Sequence, residues 1–310
     1  MAQIGIMIEG QHDLNWARWK RLLQAAEDLG YQCVFRSDHF TNANPPDYDS
    51  LELWVSLTYA ATHTQKIEFG PLVTPVTFRH PSITIRMAAQ VDDLSGGRLV
   101  LGMGAGWQER EHRLFGVPFY DVPTRFEMLT DALEMTQQLL HSDTPVTFKG
   151  KHFSLDEAIL LPRPERKGGP PILIGGRGPK RTLPLAAKYA DEWNAVFIPL
   201  EQFKERNTLL DQLLDERGRS RQSVKRSLMT QVVYEPTDAE LSARLAGKPS
   251  VTELINDRGL IVGTGSAVVD QIGAWVEAGI ERFMLQWMDL DNIDDLEKMA
   301  RDVLPHFHRA

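Results

Sequence analysis

Cysteine is nearly absent from this sequence: Cys33 is the only one in 310 residues. That excludes a disulfide framework and a thiolate metal cluster. A lone Cys in an apolar run behaves as a small hydrophobe. No apolar run approaches the length needed to cross a bilayer. The first residues lack the basic n-region and apolar h-region of a secretory leader, so a reducing cytoplasm is the expected location. Positive charge is outnumbered, 34 Lys and Arg against 42 Asp and Glu, for a net charge of −8 and no basic stripe. Nucleic acid and anionic membranes are therefore not expected partners. Motifs are missing too. No G-K-[ST] accompanies the glycine loops, which argues against nucleotide triphosphate hydrolysis. No Gly-x-Ser-x-Gly elbow presents a serine nucleophile. Two Glu-x-x-His spacings occur, Glu9–His12 and Glu109–His112. Without His-Glu-x-x-His or Cys ligands, neither is expected to hold a metal.

What is present is an ordinary globular composition, 42% apolar and 25% charged, arranged in a β–α rhythm. Short apolar runs predict strands at Ile4–Ile8, Cys33–Phe35, Lys66–Gly70, Arg98–Met103, Ile172–Ile174, Trp193–Phe197, Ser227–Tyr234 and Phe283–Trp287. Helical periodicity fills the gaps, as in Trp16, Trp19, Leu22, Leu23, Ala26 and Leu29, which Gly30 stops. Eight such units imply parallel strands and right-handed crossovers. The expected fold is α/β: a single (β/α)₈ TIM barrel over residues 1–310. Two insertions break the rhythm, near 143–171, where a β-hairpin is predicted around Lys149-Gly150-Lys151, and near 236–257.

Three strand ends carry candidate chemistry. The second runs without warning into Ser37-Asp38-His39-Phe40, which reads either as a catalytic strand end or as a solvated turn. The fourth ends in Gly104-Ala105-Gly106-Trp107, where missing Cβ atoms let a flat ligand approach the backbone. A tight turn is the plain alternative. The fifth runs into Gly175-Gly176-Arg177-Gly178-Pro179, with Pro179 predicted at the first position of a helix. Free N–H groups there, with Arg177, Lys180 and Arg181, suit a phosphate carried by a cofactor.

Together these pieces resemble the bacterial-luciferase-like flavin family, in particular its branch that uses the deazaflavin coenzyme F420. The matching segments are Ser37–Phe40, Ser95–Leu99 running into Gly102–Trp107, Glu111 with Phe115–Phe119, Pro171–Gly176, and Leu185–Asn194. The resemblance implies a homodimer whose cofactor ring lies at the C-terminal mouth of the barrel. A non-prolyl cis peptide behind the ring would map to Leu72-Val73, with Thr74 beside it. Gly175–Pro179 would hold the cofactor phosphate, and Gly104–Gly106 would let ring or substrate approach. His39 would be the active-site histidine, with Asp38 orienting it or touching the cofactor, and Glu9 at the substrate pocket. Two departures count against sugar phosphates and simple alcohols: Ala43 and Trp107 replace a tryptophan and a glutamate of the dehydrogenases in this branch. Trp107 favours a larger apolar or aromatic small-molecule substrate. The expected activity is hydride transfer between F420 and an organic substrate. The alternatives are a monooxygenase using reduced FMN, oxygen and a separate reductase, and a flavin-binding barrel without turnover.

Overall fold

The first strand shows how the chain sorts its faces. Successive side chains of an extended strand point to opposite sides. In β1 (Gln3–Ile8), Ile4, Ile6 and Ile8 therefore join the large core under the helices. Met7 points the other way, into an inner cluster with Cys33, Phe35, Leu72, Val100, Leu173, Met229 and Met284. This computed structural model describes residues 2–307. Gly5 faces the same side of β1 as Met7, against Cys33 of the next strand. A Cβ there would stand 2.2 Å from the Cys33 carbonyl oxygen, so no larger residue fits. Helix α1 (Trp16–Asp28) follows and buries Trp19, Leu22, Leu23 and Ala26 as one stripe. It closes in a Schellman motif: the Tyr31 N–H reaches Ala26 O at 2.9 Å and Gly30 reaches Glu27 O at 3.3 Å. Gly30 takes the required positive φ of 86°.

The chain continues through β2 (Cys33–Arg36), α2 (Leu53–His63), β3 (Glu68–Pro71), β4 (Thr74–Pro75), α3 (Pro81–Leu94), β5 (Leu101–Gly104), α4 (Glu109–Phe115) and α5 (Val122–His141). An antiparallel hairpin, β6 (Val146–Lys149) with β7 (Ser154–Ala158), stands outside the barrel. Next come β8 (Ile172–Gly175), α6 (Thr182–Tyr189), β9 (Glu192–Val196), α7 (Leu200–Asp215) and β10 (Lys225–Tyr234). The chain ends with α8 (Asp238–Arg244), α9 (Val251–Asn256), β11 (Ile261–Gly263), α10 (Gly265–Glu277), β12 (Arg282–Gln286) and α11 (Ile293–Val303).

The parallel strands lie in the order β3-β2-β1-β12-β10-β9-β8-β5-β4. Since β3 and β4 are consecutive pieces of one stretch, broken at Leu72 and Val73, the two ends of this order meet. Phe69 also bridges Leu99, just ahead of β5. The sheet is thus a nearly closed barrel, with its helices outside. The Leu72–Val73 peptide is cis.

At the N-terminal end of the barrel, Arg282 is buried and donates to Glu192 at 2.7 Å and to Gln3 at 2.8 Å, and it also pairs with Glu68. Among the described residues, no helix is long and apolar enough to cross a membrane. Three local expectations need correction. The helix after β8 starts at Thr182, so Pro179 sits in the preceding turn. The strand β11 pairs with β10 and was not expected, nor was the short helix α4.

Candidate functional site

At the opposite end, where the strands terminate, a cavity of about 510 Å³ opens. Strand alternation decides which residues reach it. Along β1 the inward series Gly5, Met7 continues to Glu9, and along β2 the series Cys33, Phe35 continues to Ser37 and His39. Glu9, Ser37 and His39 all line the cavity. Glu9 accepts from Gln286 at 2.6 Å and from Gln11 at 2.9 Å. Ser37 donates to Gln11 at 2.7 Å and accepts the Gly10 N–H at 2.8 Å. These contacts fix a polar strip along one wall. Met7, Leu72, Val73, Val196 and Met229 form an apolar floor.

Asp38 obeys the same alternation and is therefore turned away from the cavity. Its carboxylate accepts from the Thr74 hydroxyl at 2.8 Å and from Arg79 at 2.6 Å. Arg79 also bonds Glu52 at 2.6 Å. This corrects the expectation that Asp38 orients His39 or meets a cofactor. Asp38 instead ties the strand end to the loop that follows β4.

The carboxylate that does hold His39 is Glu111 of α4. Its Oε1 lies 2.8 Å from His39 Nδ1, and its Oε2 accepts the Phe40 N–H at 2.9 Å. The Glu111 side chain is 1% exposed, so the pair interacts largely out of water, where attraction between charges is strong. Burial by itself lowers the His39 pKa. The hydrogen bond and charge of Glu111, with smaller contributions from Glu9 and Asp38, outweigh it and raise the pKa above the ordinary imidazole value. Trp107 stands edge-on to the imidazole, with ring centroids 5.4 Å apart. Glu111→Gln keeps the shape and removes the charge. It is expected to move the His39 titration to lower pH than in the native chain, read by NMR of the imidazole across a pH series. An unmoved titration would show that Glu111 does not hold the proton there.

The other expected residues divide. Leu72, Val73, Gly104, Ala105, Gly106, Trp107, Gly175, Gly176 and Arg177 all line the cavity. Thr74, Gly178 and Pro179 do not: Thr74 serves Asp38, and the glycine loop turns away after Arg177. The Arg177 guanidinium donates to Phe197 O at 2.5 Å, which holds it at the rim. Gly104 is fixed by packing, because a Cβ there would meet Val73 Cγ2 at 2.4 Å. Asn194 reaches the cavity from β9 and was not expected. It is fully buried, its amide nitrogen donates to Ser227 at 3.0 Å, and its Oδ1 has no partner. Its place in the inward series Glu192, Asn194, Val196 is the signal that could have found it. His112 is buried behind Gly106, bonded to Thr77 at 2.7 Å and to Gln108 O at 2.7 Å. Among the described residues, no group of three or more His, Cys, Asp and Glu is placed to share a metal ion.

The chain has relatives of two kinds. It is 26% identical over 340 residues to a 4-hydroxyprotoasukamycin monooxygenase of Streptomyces nodosus subsp. asukaensis, covering 96% of this chain and 86% of that protein. It is 30% identical over 217 residues to an F420-dependent glucose-6-phosphate dehydrogenase of Microbacterium testaceum, covering 68% of this chain and 62% of that one. Its fold superposes with a TM-score of 0.85 on an F420-dependent secondary alcohol dehydrogenase solved with an F420-acetone adduct, at 22% identity and 99% coverage of both chains. The model of the luciferase-like monooxygenase family matches residues 2–255. The barrel, its mouth and this match agree: the chain belongs to the luciferase-like monooxygenase family, whose members are oxidoreductases and monooxygenases.

Proposed function

We propose that this protein is an oxidoreductase that uses coenzyme F420 to move a hydride to or from an apolar organic substrate. The observation that carries the reading is the His39–Glu111 pair on the cavity wall. Nδ1 of His39 is engaged by Glu111, which leaves Nε2 as the atom to give or take a proton. The raised pKa keeps that proton in place nearer neutral pH, where a general acid is most useful. The residues present fit a deazaflavin or flavin. The buried, unpartnered Asn194 Oδ1 offers an acceptor to a ring N–H. Met7, Leu72, Val73 and Met229 offer an apolar surface to a ring face, and Arg177 with the exposed Lys180 and Arg181 suits a phosphate. When bound, F420 supplies or accepts the hydride, and the protein supplies placement and electrostatics. A cytoplasmic homodimer belongs to the same reading.

A competing reading is a monooxygenase that uses reduced FMN, oxygen and a separate reductase. The Streptomyces relative favours it. Glu9, Gln11 and Ser37 on the cavity wall count against the dry pocket such oxygen chemistry needs. Equilibrium titration of the purified protein with F420 and with FMN, following each chromophore's spectrum, separates the two. Tighter binding of F420 is the expected result. Tighter binding of FMN would overturn the cofactor assignment, and binding of neither would favour a barrel without turnover.

A further inference from the structure

Exposed apolar side chains are unevenly distributed over the surface. Thirteen large hydrophobic residues are exposed among the described residues, and five of them fall within residues 107–122: Trp107, Leu114, Phe115, Tyr120 and Val122. Trp107 is 63% exposed and Phe115 60%. A soluble surface gains nothing by clustering such residues, and clusters of this kind mark contact sites.

This cluster is continuous with the cavity. Trp107 lines the cavity and meets His39 edge-on. Phe115 packs against Phe40, the residue after His39, with centroids 5.0 Å apart. Val122 stands one helical turn before Phe126, which lines the cavity wall. Phe119, between them, packs on His112 at 4.8 Å, behind Gly106. The charges in this stretch are largely engaged elsewhere. Arg110 pairs with Asp47 at 2.6 Å, Glu111 with His39, and Arg125 lies over the Phe119 ring while donating to Tyr120 O. Asp121 caps α5 through the Thr124 N–H. The charged groups left exposed are Glu109, Arg113 and the capping Asp121.

Cavities of this volume hold one drug-sized molecule. Once a three-ring cofactor enters, only the reacting end of a substrate fits beside it. The rest must lie outside, and the surface it meets on the α4 side is the aromatic rim. We propose that the substrate is an amphiphile with a small carbonyl or carbinol head and an extended hydrocarbon or aryl body. The head enters the cavity at His39, and the body lies across Trp107 and Phe115. The proposal rests on the oxidoreductase reading for the identity of the head and on a three-ring cofactor, deazaflavin or flavin, for keeping the body out of the cavity, while the surface the body meets is read from the rim.

The test uses straight-chain 2-alkanones from acetone to 2-decanone as probes, with dissociation constants from calorimetry, first without and then with F420 bound. With F420 bound, the native chain is expected to bind each longer ketone more tightly, about two- to fourfold per methylene once the chain reaches the rim. Phe115→Ser, at a side chain outside the cavity lining, should flatten that gain for the longer ketones and leave acetone and 2-butanone unchanged. The Phe115 side chain is exposed, so the fold is expected to survive, as circular dichroism would check. Equal gains in native and variant proteins would overturn the proposal, as would failure of the native chain to bind 2-decanone. A change in subunit number on light scattering, with the gains intact, would make the rim a contact between copies and overturn it too. Failure of F420 to bind, with a rim-dependent gain retained in its absence, would overturn the cofactor reading and leave the rim assignment standing.

Discussion

Replacing His39 with Ala is expected to lower turnover about 100- to 10,000-fold, the usual contribution of a positioned general acid or base. Cofactor affinity should change little, because the apolar floor and Asn194 are untouched. The direction with pH follows from the same geometry. In the direction where His39 donates, activity needs the protonated imidazole, so turnover should fall as pH rises through the His39 pKa. That pKa lies above the ordinary value, about 6.5, so the falling limb should sit on the alkaline side of neutral imidazole behaviour. His39→Ala strands the buried Glu111 carboxylate, whose Oε1 loses its 2.8 Å partner. Stopped-flow turnover is therefore best measured beside His39→Gln, whose amide can still donate to Glu111. Both variants should lose turnover and the limb, while both still bind F420 in the spectral titration. Unchanged turnover in either would remove His39 from the chemistry.

The surroundings of His39 were only partly legible in the sequence. Strand ends and helix stops could be read because they rest on local rules, such as period-two alternation in β1 and the Gly30 cap of α1. The barrel followed from them. Reading Asp38-His39 as a working pair overlooked the same rule. Adjacent residues on extended chain face opposite ways, so one of the two had to leave the cavity, and Asp38 went to Arg79. The true partner, Glu111, lies 72 residues away in sequence, and no local pattern joins the two. It also sits on α4, a helix of 7 residues whose N-cap Gln108 makes no side-chain cap bond, so neither periodicity nor capping announces it. Pro179 misled for a related reason. Proline suits a first helical position but equally suits a turn, and here the glycines before it carry the chain three residues further before α6 begins. Trp107 lines the cavity, since a residue following a strand-end glycine turn has few other places to point.

The far end of the barrel carries the largest expected effect on stability. Arg282 is 1% exposed and its partner Glu192 is 4% exposed. They are joined at 2.7 Å, and the second Glu192 oxygen has no partner. Burial pushes the Glu192 pKa up, while the Arg282 charge pulls it back. Arg282→Met removes that pull and leaves a buried carboxylate alone, at a cost of about 3–5 kcal/mol. Glu68, the other carboxylate at Arg282, is 35% exposed and can turn to water. The sign with pH is fixed by the acid left behind. A carboxyl whose folded pKa lies above its unfolded value near 4.3 loses stability as pH rises from the unfolded value through the folded one. The deficit of Arg282→Met against the native chain should therefore be large at neutral pH and narrow toward about pH 4.5, as urea unfolding midpoints at the two pH values would show. Adding Glu192→Gln removes the stranded charge and should recover part of the loss at neutral pH. If the double variant were no more stable than Arg282→Met, the cost would come from lost packing of the long side chain rather than from the carboxylate. The candidate site lies at the other end of the strands, so His39 should titrate in Arg282→Met as it does in the native chain.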